Sequence, residues 1–212
     1  VKKYSAPFLE NKDIYGGQAS FRFTVERKRF VTSEGASLTQ NLMYARLSVS
    51  GFIKSDDGME LPLYKSYFAF KPGDLPDDEK ILADVRDMIT KLEKLREAPV
   101  IDPYTGPAIL SGRAAGVFFH EILGHRVEGH RMKSEEEGQT FKKQVGEKIL
   151  PEHIDIVFEP TRKEYNGNNL MGYYLYDDEG VGAQQVSVVE SGILKTFLMS
   201  RSPIENFPES NG

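Results

Sequence analysis

Phe119-His120-Glu121-Ile122-Leu123-Gly124-His125-Arg126-Val127-Glu128-Gly129-His130 gathers three of the chain's four histidines at intervals of five, with a glutamate directly after the first. Neutral imidazoles bind divalent ions, and a carboxylate beside them can take a proton from the water that such an ion activates. The usual pattern for this chemistry is His-Glu-x-x-His. Here the interval holds one residue more.

That residue matters because a helix turns about 100° and rises about 1.5 Å per residue, so residues four apart nearly eclipse. Residues five apart lie roughly 140° round the axis and about 7.5 Å along it. His120 and His125 can therefore share an ion only if the helix is deformed between them. Gly124 and Gly129 each precede a histidine, and a π-bulge near Gly124 would supply the extra residue. A catalytic zinc ordinarily takes three protein ligands. His130 and Glu128 are further candidates, and His130 would need a second distortion or a turn at Gly129. From the residues alone the opposite reading stays open, since histidines on an amphipathic helix are often surface groups. His153, ahead of a strand, reads as a capping or solvent-facing residue.

The elements that must position these groups read as follows. Phe21, Phe23 and Val25 alternate with Arg22 and Thr24, and Ser33-Glu34-Gly35 and Asp56-Asp57-Gly58 are turns. Residues 20–70 therefore form an antiparallel meander. Asp77-Asp78-Glu79 opens a helix over 77–97, with acids at its positive end and an apolar stripe through Ile81, Val85, Met88 and Leu92 that packs on the meander. Pro99 to Pro107 is a linker. Ala108-Ile109-Leu110 reads as a short buried strand, and Ser111 caps a helix whose second half carries the histidines. Lys133 to Gly138 is too polar to bury and reads as a mobile loop. Phe141 to Leu150 reads as a short helix and Ile154 to Phe158 as a strand. Residues 170–200 are β-rich, with a hairpin at Ser191-Gly192 and a tight loop at Asp177-Asp178-Glu179. The class is α+β: a meander with a packed helix, then a motif-bearing helix and a second β-rich region. The domains fall at 1–98 and 99–212.

Composition excludes several alternatives. The 212 residues carry a net charge of -5, which gives no reason to expect nucleic-acid or anionic-membrane binding. No apolar run approaches the ~20 residues that span a bilayer. The chain has no cysteine, which removes disulfides and thiol catalysis. No signal peptide is visible, so a cytoplasmic location is the default. The start at Val1 and the turn-rich end at Pro203–Gly212 fit part of a longer protein.

Residues 116–129 resemble the His-Glu-x-x-x-His segment of the TldD/PmbA metalloproteases, once labelled modulators of DNA gyrase. The likeness extends to Thr32-Ser33-Glu34-Gly35, Val145-Gly146-Glu147-Lys148, Tyr176-Asp177-Asp178-Glu179-Gly180 and Glu190-Ser191-Gly192-Ile193-Leu194-Lys195, covering roughly residues 20–212. It implies a zinc-dependent peptidase of flexible peptides with a deep or enclosed site. His120 and His125 would be ligands, Glu121 the general base, and a homodimer or a heterodimer with a family paralogue the assembly. The family's third ligand is a cysteine far along the C-terminal domain; the chain has none, which points to truncation. The competing reading is a non-catalytic peptide- or partner-binding subunit of the same fold.

Overall fold

The computed structural model describes residues 1–212 apart from Glu135, Glu137 and Gly138. Half of the loop expected over Lys133–Gly138 falls on these three and lies outside the described residues; Lys133 ends a 3-10 turn.

Apolar–polar alternation yields three long strands, β1 (Ile14–Val31), β2 (Ser37–Lys54) and β3 (Glu60–Ala69), in the order β1-β2-β3. β2 and β3 pair antiparallel from Ala45 opposite Ala69 to Lys54 opposite Glu60. Gly35 and Gly58 turn the chain at positive φ, 94° and 89°, which a side chain disfavours. β1 begins earlier than the sequence pattern indicates, because Gly16 and Gly17 interrupt the alternation. Their reason is close approach: a Cβ on Gly17 would lie 2.3 Å from the ring of Phe8.

After a one-turn helix, α1 (Lys2–Ser5), and the meander comes α2 (Asp78–Glu97). Its cap is Asp77, whose side chain accepts from the Lys80 amide at 2.8 Å. Ile81, Val85, Met88 and Leu92 are buried with Leu47, Val49 and Ile53 of β2 and with Tyr4 and Phe8. Each buried side chain of this size contributes ~1.5–3 kcal/mol. Asp84, on the same helix, is buried but paired with Lys65 and Lys80, both at 2.7 Å, and accepts from the Tyr67 hydroxyl.

Helix α3 (Gly112–Ile122) follows, then β4 (Ile156–Phe158), two-residue strands β5 (Glu164–Tyr165) and β6 (Asn168–Asn169), and β7 (Val186–Glu190) with β8 (Ile193–Leu194). β4, β7 and β8 make an antiparallel sheet in that order. Ser191 and Gly192, at φ 49° and 77°, form the tight hairpin turn expected there. The molecule is α+β, as the patterning predicts. Chain contacts divide it into one unit of Val1–Lys28, Asn41–Thr105 and Asn166–Asn169, and a second of Arg29–Gln40, Gly106–Tyr165 and Leu170–Gly212.

Three local expectations are corrected. Ala108-Ile109-Leu110 is not a buried strand: all three residues are exposed and unassigned. Their apolar run is too short for periodicity to separate strand from loop. Phe141–Leu150 is a series of turns rather than a helix. Its backbone bonds instead to the β7–β8 hairpin, with Gly146 N donating to Leu194 O and Ile149 N to Gly192 O, both at 2.8 Å. The 170–185 stretch is mostly turns, with Asp177 Oδ1 accepting from the amides of Glu179 and Val181 to make the anticipated tight loop.

Candidate metal centre

The motif occupies the end of α3 and the two turns after it. Ser111 caps the helix, its hydroxyl accepting from the Ala114 amide at 3.5 Å. None of the helix's residues is buried, and His120 and Glu121 are exposed. The helix stops at Ile122. Leu123 leaves helical geometry at φ -125° and ψ -52°, and Gly124–Val127 winds as a 3-10 turn. Leu123 and Val127 are buried with Val188, Val189, Leu194 and Phe197. Packing of these two residues holds the chain in its departure from the helix.

This break answers the spacing problem. Past Leu123 the tighter 3-10 turn, with about three residues per turn, changes the rotation between the two histidines. Their ring centroids come to 4.4 Å with planes at 73°. The deformation expected near Gly124 is present, at Leu123 and the turn that Gly124 begins, but it is a 3-10 turn rather than a π-bulge. A Cβ on Gly124 would meet only ordinary contacts, the nearest at 3.8 Å from His120 Nδ1 and Phe119 O. Gly129 is different: a Cβ there would lie 2.4 Å from Met199 Sδ and 3.0 Å from Leu198 O.

One ligand atom each from His120, Glu121 and His125 fall within 4.8 Å of one another. His120 Nε2 lies 3.9 Å from Glu121 Oε1. Two imidazoles with a carboxylate beside them fit two ligands of a zinc ion and a base next to it. Within this chain the group lies open to solvent, with His120 and Glu121 exposed and His125 half-buried.

The two weaker candidates sit beside this group. Glu128 Oε1 is 2.8 Å from His125 Nδ1, and Glu128 Oε2 accepts from Arg131 Nε at 2.7 Å. Burial would push the Glu128 carboxyl up, but the hydrogen bonds from Arg131 and His125 hold it below the usual carboxylate range. His130 is exposed, with Nε2 3.7 Å from Glu128 Oε2. His153 is exposed, as expected. Arg131 was not singled out by the sequence. Its only signal is its position three residues after Glu128, which a helical turn brings together.

A cavity of about 520 Å³ in the same unit is lined by Phe158, Tyr174, Val186, Leu198 and Asn211 among others, and none of the three clustered residues lines it. Among the described residues no helix is long and apolar enough to cross a membrane.

An α+β fold with a His/Glu/His cluster at a broken helix end describes a class of candidate metallohydrolase. Comparison with known proteins narrows it. Residues 103–211 match the family described as the PmbA/TldA metallopeptidase C-terminal domain, and because this is more than half of the chain, the protein belongs to that family. A metalloprotease of Archaeoglobus fulgidus is 38% identical over 94 residues, 44% of this chain and 20% of that protein. A zinc metalloprotease TldD homolog of Saccharolobus solfataricus is 28% identical over 122 residues, 56% of this chain and 26% of its own. Among solved structures, a Bacteroides thetaiotaomicron protein described as a modulator of DNA gyrase superposes with a TM-score of 0.70 at 13% identity, covering 94% of this chain and 44% of that one. TldE from Thermococcus kodakarensis gives 0.60 at 19% identity, covering 92% and 42%. The chain thus spans less than half the length of these solved relatives.

Proposed function

We propose that this chain carries the zinc site and general base of a metallopeptidase that cleaves flexible or unfolded peptides. The observation that supports it most is the convergence of one ligand atom each from His120, Glu121 and His125 within 4.8 Å, although the histidines lie five positions apart. When bound, zinc would supply Lewis acidity to the peptide carbonyl and lower the pKa of a water molecule. His120 and His125 would hold the ion through neutral ring nitrogens. Glu121, next to His120 in sequence, would take the proton from the attacking water and return it to the leaving amine. An extended substrate adding along a sheet edge would satisfy its backbone groups and select unfolded segments over folded ones.

The third ligand would come from the C-terminal cysteine that family resemblance implies, with His130 and Glu128 as weaker candidates within the chain. Glu128 is engaged by His125 and Arg131, which lowers its claim. The working assembly would be a homodimer or a heterodimer with a family paralogue. Zinc analysis paired with hydrolysis of an unfolded protein tests the reading. A chelator should abolish cleavage and added zinc restore it. Cleavage that survives both chelation and Glu121→Gln would refute it.

A further inference from the structure

Glu128 was a candidate ligand, but its surroundings describe another role. Its two carboxylate oxygens are divided between neighbours: Oε1 faces His125 Nδ1 at 2.8 Å and Oε2 accepts from Arg131 Nε at 2.7 Å. A neutral imidazole has one N–H and one lone pair, and the partner of one nitrogen decides which is which. A carboxylate can only accept, so contact at Nδ1 places the proton there. Nε2 is then left with the lone pair that a metal requires.

The support under this carboxylate is firm. Glu128 forms an isolated parallel bridge with Leu198. Gly129 N donates to Leu198 O at 2.9 Å, and Leu198 N donates to Val127 O at 2.8 Å. Val127 is fully buried just before it, and a Cβ on Gly129 would crowd Met199 and Leu198. The α3 residues bearing His120 and Glu121 have no such burial. The backbone next to His125 is therefore tied into the unit's core, and Glu128 transmits that order to the ring.

We propose that Glu128 is a positioning residue: it fixes His125 as the Nδ1–H tautomer, presenting Nε2 to a divalent metal, while Arg131 holds its carboxylate in place. This deepens the zinc reading and rests on it for the identity of the ligand pair. It also assigns Arg131, which lies outside the motif, a part in the same device.

The test has two arms on the 212-residue chain. First, the nitrogen-15 NMR spectrum of the metal-free protein at about pH 8.5, above the ordinary histidine range, should show His125 with a protonated Nδ1 and an unprotonated Nε2. Glu128→Ala should turn this into a mixture of tautomers. Glu128→Gln, whose amide oxygen still accepts from Nδ1–H, should keep it. Second, zinc affinity from chelator competition should fall about tenfold to a hundredfold in Glu128→Ala, less in Glu128→Gln, and further in His125→Ala than in either.

Wild-type His125 carrying its proton on Nε2 would overturn the proposal. So would zinc affinity unchanged in Glu128→Ala, or reduced there as far as in His125→Ala, the mark of a direct ligand. If wild-type protein takes up no zinc, the metal reading fails, while the NMR arm still decides whether Glu128 sets the tautomer.

Discussion

In the proposed reaction Glu121 differs from the histidines in acting as a base rather than a ligand. A general base must be ionised and free to rotate between the attacking water and the leaving group, and Glu121 is exposed, with His120 Nε2 3.9 Å from its Oε1. Glu121→Gln preserves shape and removes basicity. It should leave zinc content unchanged and lower peptide hydrolysis about 10²–10⁴-fold, measured as cleavage rate per zinc bound. Loss of zinc in that variant would make Glu121 a ligand instead. That His120, Glu121 and His125 come together was legible in the sequence from residue type and nearness along the chain. The division of Glu128 between His125 and Arg131 was not, because it depends on how a 3-10 turn points side chains three residues apart.

At the scale of elements, two glycines of the motif are expected to behave differently. Gly124 is neither strained nor crowded, with the nearest atoms to a built Cβ at 3.8 Å, so Gly124→Ala should change stability by no more than about 0.5 kcal/mol. Gly129→Ala drives a Cβ into Met199 Sδ and Leu198 O and should cost about 1–3 kcal/mol. Urea unfolding of both variants checks the contrast; equal costs would mean that the break at Leu123 is not what shapes the turn. The sequence showed that a deformation was required, because five-residue spacing cannot face two histidines on a regular helix. Its place next to Gly124 was legible too, but its form was not, since Leu123 is fixed by burial with Val188, Val189 and Phe197, residues more than sixty positions away. The meander and α2 were readable from alternation and from the Ile81, Val85, Met88, Leu92 stripe. Ala108–Leu110 misled because an apolar triplet looks the same buried or exposed.

Across the whole molecule, two units each bury their own core, so unfolding need not be a single transition. The first unit contains a charged group whose burden is specific. Burial would raise the Asp84 carboxyl, but Lys65, Lys80 and the Tyr67 hydroxyl together hold it well below the usual carboxylate range. A carboxyl depressed in the folded state contributes stability that is fully present above its unfolded value, near pH 4, and is lost as pH falls toward the folded value. Thermal melts should therefore show the first unit weakening below about pH 4. Asp84→Asn should cost about 1–3 kcal/mol at neutral pH and flatten this acid limb; an unchanged acid limb would remove Asp84 as its source.

The same molecular scale holds the central claim, that a helix broken at Leu123 folds His120, Glu121 and His125 into one zinc site. Zinc bound per chain, measured by equilibrium dialysis at saturating metal, tests it most directly. One zinc is expected in the wild type and in Glu121→Gln, and none in His120→Ala or His125→Ala. Undiminished zinc in either histidine variant, or none in the wild type, would contradict it.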